Sequence, residues 1–144
     1  AAAGLLGVAT HAAYEAEAAM RLEALVRRPV DGGAYAVTPA GDLDLRPLFA
    51  ALLRAEDARA GAELFHGTLV AALATWLGDR ADATGHGTVA LGGGCLVNRV
   101  LRRGLIAALE GRGLTVLTPR AVPPGDGGLS LGQAWVAALT IERG

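Results

Sequence analysis

Two short apolar runs, each opening through a glycine-rich loop into a helix, constrain this chain more than any other feature. Thr88-Val89-Ala90-Leu91 has the length of a buried strand and runs into Gly92-Gly93-Gly94. The pattern then predicts a helix over Asn98–Arg112, with Val100, Leu101, Leu105, Ile106 and Leu109 apolar and Arg99, Arg102, Arg103 and Glu110 polar. Gly113 ends it, and Leu114-Thr115-Val116-Leu117 reads as a second strand. A Pro/Gly loop over 119–128 leads to a last helix from Leu129 to about Arg143. Strand, helix, strand, helix with short connections predicts parallel strands and a right-handed crossover, hence an α/β or α+β class.

The preceding part is mostly helical by pattern. Spacings of three and four among Tyr14, Ala18, Met20, Leu22, Leu25 and Val26 predict an amphipathic helix from about Tyr14 to Arg27, stopped before Pro29, with Glu15, Glu17, Arg21 and Glu23 on its wet side. Asp31-Gly32-Gly33 makes a turn. Ala34–Val37 and the alternating Leu43 and Leu45 read as a hairpin around Pro39-Ala40-Gly41-Asp42. Pro47 suits the first turn of a helix through Leu53. A longer helix, roughly Asp57 to Gly78, buries Leu64, Phe65, Leu69, Val70, Leu73, Trp76 and Leu77, leaving Glu56, Arg59 and Glu63 wet. The stretch Asp79–Gly87 reads as a polar loop.

Composition removes several chemistries. All 13 basic residues are Arg, so a Walker-type phosphate loop and a Schiff-base lysine are excluded. The single cysteine, Cys95, leaves no intrachain disulfide. A net charge of −1 argues against a chain whose main task is holding nucleic-acid phosphates; Arg99, Arg102 and Arg103 read as the solvated face of a helix. No apolar run reaches the roughly 18 residues of a membrane span. The chain lacks an initiating Met and opens in an Ala-rich stretch, so we expect a piece of a longer polypeptide.

Chemistry concentrates in the two loops. Glycines between a strand end and a helix start permit positive φ and let a ligand approach the backbone, while the helix N-terminus behind them offers unpaired N–H groups. Gly93 and Gly94 are therefore candidate phosphate contacts, although a tight βα turn would use a glycine for the bend alone. Asn98 reads either as the N-cap of the following helix or as a ligand-holding amide. In the second loop, Asp126 stands among Gly125, Gly127 and Gly128, beyond the end of the second strand, where open α/β sheets place ligands. Such a carboxylate serves a metal that meets a nucleotide phosphate, or an Asx turn. Ser130 and Gln133 read as caps of the last helix in preference to ligand contacts. His11, His66 and His86 form no metal-type pair by spacing, and His66 beside Phe65 reads as a hydrogen-bonded core residue. Cys95 reads as a small packed residue; Trp76 and Trp135 read as core fillers.

The segments Leu91-Gly92-Gly93-Gly94-Cys95-Leu96-Val97-Asn98-Arg99 and Val122-Pro123-Pro124-Gly125-Asp126-Gly127-Gly128-Leu129-Ser130-Leu131-Gly132-Gln133-Ala134 resemble the C-terminal region of the hydrogenase-maturation carbamoyltransferases of the HypF type. Ala2-Ala3-Gly4-Leu5-Leu6-Gly7, the stretch Tyr14–Glu23 and Phe65-His66-x-Thr68-Leu69 agree with it, so the resemblance runs from end to end. It implies that residues 1–144 are the last part of a Kae1-like domain, an α/β C-terminal subdomain of the actin/sugar-kinase/Hsp70-like (ribonuclease H-like) nucleotide-binding fold.

The resemblance also implies an activity. Enzymes of this family take carbamoyl phosphate and ATP, form a carbamoyl-adenylate, and carbamoylate the C-terminal Cys of a HypE-type partner, the source of cyanide ligands on the iron of [NiFe]-hydrogenases. By the same likeness Gly93, Gly94 and Asn98 lie on the nucleotide, Glu15 holds the ribose, and Asp126 ligates a divalent metal (Fe, Zn or Mg) whose His ligands lie outside this chain. A cytoplasmic setting is implied, with the remainder of the polypeptide as a second partner. Gly92, Leu96 and Val97 stand where the family usually has Ser, Phe and Gln, so contacts made by those Ser and Gln side chains are absent here. The rival readings are a non-catalytic nucleotide-binding or partner-docking module of the same fold, and an O-carbamoyltransferase acting on a small molecule.

Overall fold

A computed structural model describes residues 1–123 and 125–142. The element order is α1 (Ala2–Leu5), α2 (Glu17–Ala24), β1 (Ala36–Val37), β2 (Leu43–Asp44), α3 (Arg46–Leu52), α4 (Ala58–Thr84), β3 (Thr88–Ala90), α5 (Arg99–Gly111), β4 (Thr115–Leu117) and α6 (Leu129–Glu142). Single 3-10 turns over Gly94–Val97 and Asp126–Gly128 precede α5 and α6.

The 27-residue α4 is the spine. Asp57 caps its start, its Oδ1 accepting the Ala60 N–H at 2.7 Å, and Gly85 closes it with φ +69°. The helix therefore continues past Gly78 through Asp79–Thr84, where the sequence reads as a loop. Arg112 is the reason: its guanidinium lies over the bare Cα of Gly78 and bonds Asp79 at 3.0 Å. The residues α4 buries most deeply are small or polar, including Ala62, His66, Thr68 and Ala72, whereas Leu64, Phe65, Leu69 and Leu73 are half-buried. Small side chains let neighbours come close on several sides at once. A Cβ on Gly67 would collide with the backbone of Val30, and one on Gly61 with the Leu6 side chain.

Two apolar clusters use opposite ends of this spine. One joins Ala2, Ala3, Leu22, Leu48, Leu52 and Ala62; the other joins Ala74, Leu91, Leu96, Leu105 and Leu109. The second sits under α5, which packs on α4 more extensively than any other element. β3 and β4 pair in parallel with Thr88 opposite Thr115 and Ala90 opposite Leu117, as the strand–helix–strand pattern predicts. The hairpin is also present, antiparallel, with Ala36 opposite Asp44; Leu45 leaves the strand to become the N-cap of α3.

The helix predicted from Tyr14 to Arg27 is the shorter α2, Glu17–Ala24. Residues 14–16 are not helical, and Ala16 adopts φ +66°, which costs an L-residue roughly 1–2 kcal/mol. Glu17 holds the bend. Rather than facing water it is 5% exposed, accepting the Ala13 N–H and pairing with Arg21 at 2.6 Å. Trp76 is half-buried, its Nε1–H donating to the Gly41 carbonyl at 2.7 Å. Trp135 is no core filler: it is 66% exposed on α6, whose Leu131, Val136 and Ile141 are also exposed. The predicted end of that helix at Arg143, and Pro124 in the loop before it, lie outside the described residues.

Two outcomes follow. Gly67→Ala should lower the urea midpoint with an unchanged denaturant slope, a loss of about 1–3 kcal/mol from forcing α4 away from Val30; an unchanged midpoint would contradict this contact. At the hairpin end, Arg46 donates through Nε and Nη2 to Asp44 at 2.7–3.1 Å, and its backbone N–H adds a further bond. These bonds hold the Asp44 carboxyl at about 2 against an ordinary 3.8. A carboxyl whose folded value lies below its unfolded one stabilises the fold above the unfolded value, and that contribution fades as pH falls through about 2. An NMR titration should place the Asp44 midpoint near 2 and return it toward 3.8 in Arg46→Ala.

Candidate functional site

The parallel pairing decides where the two glycine loops lie. Both strands end on the same edge, so Gly92–Gly94 and the 119–128 loop leave side by side. A Cβ on Gly125 would stand 3.4 Å from the Cα of Gly94, so the loops touch backbone to backbone. Gly93 has φ +96°, a value that a side chain rarely tolerates, and it turns the chain from β3 into the 3-10 turn. Leu96 N–H closes that turn on the Gly93 carbonyl at 3.2 Å, and the Leu96 side chain anchors it in the second apolar cluster.

An open cleft of about 820 Å³ lies over the junction. Gly93, Gly94, Asp126 and Gln133 contribute polar edges, and Leu129 and Val136 of α6 form an apolar wall. Asp126 heads its own 3-10 turn, exposed, with Gly127 and Gly128 packed on Pro123 behind it. Among the described residues no Arg pairs with Asp126, and no three His, Cys, Asp or Glu side chains come together to hold a metal. Cys95 is exposed beside the cleft, not packed; the burial falls on its neighbour Leu96 instead.

Asn98 and Glu15 meet at a second, more enclosed cavity of about 380 Å³. Its walls are mostly alanine, from Ala1–Ala3, Ala12, Ala16, Ala18 and Ala19, with Leu22 and Phe65; Tyr14, Glu15, His66 and Asn98 are the polar members. The unwinding of residues 14–16 brings Glu15 here, exposed at the rim. Asn98 does act as the N-cap, its Oδ1 accepting the Leu101 N–H at 2.9 Å. Its Nδ2 lies 2.9 Å from His66 Nε2, and His66 Nδ1 lies 2.8 Å from the Ala62 carbonyl. His66 is 2% exposed and bonded at both nitrogens, the hydrogen-bonded core residue that its setting beside Phe65 predicts.

The five predicted site residues thus divide between two cavities. Gly93, Gly94 and Asp126 share the open cleft, Glu15 and Asn98 the alanine-lined one, and the short turn 94–98 connects them. Sequence reasoning missed the buried Glu17 that shapes the Glu15 bend and the bond between His66 and Asn98. Helical spacing placed Glu17 on a wet face, and nothing in a 32-residue separation links His66 to Asn98.

Residues 1–133 match the family described as carbamoyltransferase, Kae1-like domain, second subdomain. The chain belongs to that family. It is 49% identical to the carbamoyltransferase HypF of Rhizobium leguminosarum bv. viciae over 146 aligned residues, covering 98% of this chain and 19% of that protein. A carbamoyltransferase HypF homolog of Cupriavidus necator is 48% identical over 96% of this chain and 38% of its own length. Among solved structures, full-length HypF in a phosphate- and nucleotide-bound form superposes with a TM-score of 0.87 at 30% identity, over 98% of this chain and 20% of that one. T. kodakarensis HypF gives 0.77 at 31%, over 98% of this chain and 19% of that one. The chain therefore spans about a fifth to two-fifths of the lengths of these relatives. The α/β, Kae1-like class expected from the motifs is the class found. No helix of the described residues is long and apolar enough to cross a membrane.

Replacing Asn98 separates its two bonds. Asn98→Ala should destabilise the chain by about 2 kcal/mol, the sum of a lost cap and a buried His66 acceptor left without its donor. Asn98→Ser should recover the cap share, about 1 kcal/mol, in chemical denaturation; equal losses in the two variants would contradict this division.

Proposed function

We infer that the chain is the C-terminal part of a carbamoyltransferase acting in [NiFe]-hydrogenase maturation, and that it supplies one side of a nucleotide site. The observation that carries this is the backbone contact of the Gly94 and Gly125 loops at the C-terminal edge of the parallel pair, with Asp126 exposed beside it. Open α/β sheets bind ligands at that edge, and the similar full-length HypF was solved bound to phosphate and nucleotide.

In this reading the phosphates lie against Gly93 and Gly94, where the first N–H groups of a 3-10 turn have no partner within the turn and no Cβ blocks approach. Glu15 accepts from the ribose hydroxyls and Asn98 donates to the nucleoside at the alanine-lined cavity. The carbamoyl-adenylate formed from carbamoyl phosphate and ATP then presents its carbamoyl carbon to a thiolate, the C-terminal Cys of a HypE-type partner. Attack forms the S–C bond, the C–O bond to the phosphate breaks, and AMP leaves with the electron pair. The chain's contribution is electrostatic: preorganised N–H groups offset charge gathering on the departing phosphate. Cys95 has no part in the transfer in this reading, since among the described residues no acid or base is hydrogen-bonded to it. The reading places the reaction in the cytoplasm.

Asp126 fits one ligand of a shared divalent cation: it is an exposed carboxylate, unpaired among the described residues, beside a phosphate loop in a chain with no lysine. Among the described residues it has no companions to complete a centre, so in this reading the other donors come from elsewhere in the polypeptide. Such an ion, when bound, screens phosphate charge. The apolar face of α6 is covered in this reading by the same remainder of the polypeptide.

In the complete enzyme, Asp126→Ala should abolish carbamoyl transfer to the partner's thiol while carbamoyl phosphate hydrolysis continues. Transfer at the unaltered rate would remove Asp126 from the site, and loss of both reactions would point to misfolding instead, a distinction that thermal unfolding of the same sample makes.

A further inference from the structure

We propose that His66 is a positioning residue: it locks the amide of Asn98 in one orientation, so that Asn98 presents a hydrogen-bond donor to the ligand in the alanine-lined cavity. The orientation follows from two backbone groups whose roles are fixed. Leu101 N–H can only donate, so the Asn98 atom facing it at 2.9 Å is the oxygen, and the nitrogen faces His66. The Ala62 carbonyl can only accept, so His66 Nδ1, 2.8 Å away, carries its proton. The neutral imidazole then has a bare Nε2, which accepts one Nδ2 hydrogen of Asn98 at 2.9 Å. The relay has a single consistent set of donors and acceptors from the carbonyl of α4 to the first turn of α5.

The residues around it keep it so. The Phe65 ring stands edge-on to the imidazole, with centroids 5.3 Å apart at 88°, and His66 is 2% exposed, so water does not compete for either nitrogen. One Nδ2 hydrogen of Asn98 goes to His66. The second remains for the cavity that Asn98 and Glu15 both line. A flipped amide would set NH2 against the Leu101 N–H and oxygen against Nε2, losing both bonds. The imidazole thus selects a donor at Asn98, while Glu15 is an acceptor on the same cavity. A ligand suited to this pair offers an acceptor to Asn98 and hydroxyl donors to Glu15, which a nucleoside does.

This inference rests on Asn98 being a nucleotide-side residue, and the test separates the two. In the complete enzyme, 15N NMR of the imidazoles should show His66 protonated at Nδ1 and accepting at Nε2; protonation at Nε2 overturns the lock. AMP should shift the Asn98 side-chain amide resonances. His66→Gln, whose carbonyl reaches nearly the place of Nε2, should bind AMP within about twofold of the unaltered enzyme, and His66→Leu about tenfold more weakly, the loss of one well-placed hydrogen bond. The half-saturating nucleotide concentration should rise in His66→Leu with little change in the saturated rate, and unfolding midpoints of both variants exclude collapse of the fold. Equal weakening in the two variants, or unaltered AMP binding in His66→Leu, overturns the positioning role. An Asn98 amide that does not respond to AMP overturns the nucleotide reading beneath it and leaves the tautomer standing, so the two failures look different.

Discussion

The close approach of everything else to one helix is the constraint on which this structure depends. α4 carries Gly61, Ala62, Gly67, Ala72, Ala74, Gly78 and Ala81 along its length, and those small residues decide what reaches it. Gly67 admits the backbone of Val30, Gly61 admits Leu6, and Gly78 admits the Arg112 guanidinium. Contact at that distance excludes water from the helix surface, so the two polar side chains buried there must find protein partners. Thr68 accepts the Gly32 N–H at 3.0 Å, and His66 bonds Ala62 and Asn98. The polar relay is thus a consequence of the packing, and its free end reaches the cavity.

The chain's small sheets have a similar economy. A two-stranded parallel pair of three residues each contributes little stability alone. Its importance is topological, because parallel pairing forces both glycine loops to one edge. α5, held to α4 by Leu105 and Leu109 in the second cluster, then fixes where Asn98 stands relative to them. The division of polar groups between an open cleft and an enclosed cavity follows from that geometry.

How much of this was legible in the sequence depended on whether a feature is local. Glycine loops after apolar runs, the N-cap at Asn98, the proline start of α3 and the hairpin are set by neighbours a few residues apart, and they are where the pattern puts them. The failures have long-range causes. Helical spacing continues through Tyr14 and Glu15, but a buried Glu17 bonded to Ala13 makes the unwound form the one that satisfies its carboxylate. The stretch Asp79–Thr84 is polar and small, yet Arg112, from 33 residues away, supports its helical form. Cys95 and Trp135 read as core because residue type was the only guide; their exposure follows from which neighbour, Leu96 or none among the described residues, takes the buried place. The site residues fared alike: a place at a helix start after a glycine loop singled out Asn98, whereas the His66 it bonds is distant in sequence.

The exposed face of α6 and the open cleft are not independent features. Leu129 and Val136 are about 60% exposed, and the same two side chains form the apolar wall of the cleft. A ligand of nucleotide size requires most of its surface covered, and a cleft this open cannot cover it from one side. A segment packed on α6, as proposed above, would also supply the missing wall, and the apolar area it buried would favour docking and closure together. If the glycine loops hold the nucleotide as proposed, ligand contact with Gly93 and Gly94 and packing on Val136 become one event, and a half-site alone would pay the full ordering cost without that gain. In that reading the apolar wall ties occupancy of the glycine loops to packing on α6, and the outward-facing large side chains of that helix have a use.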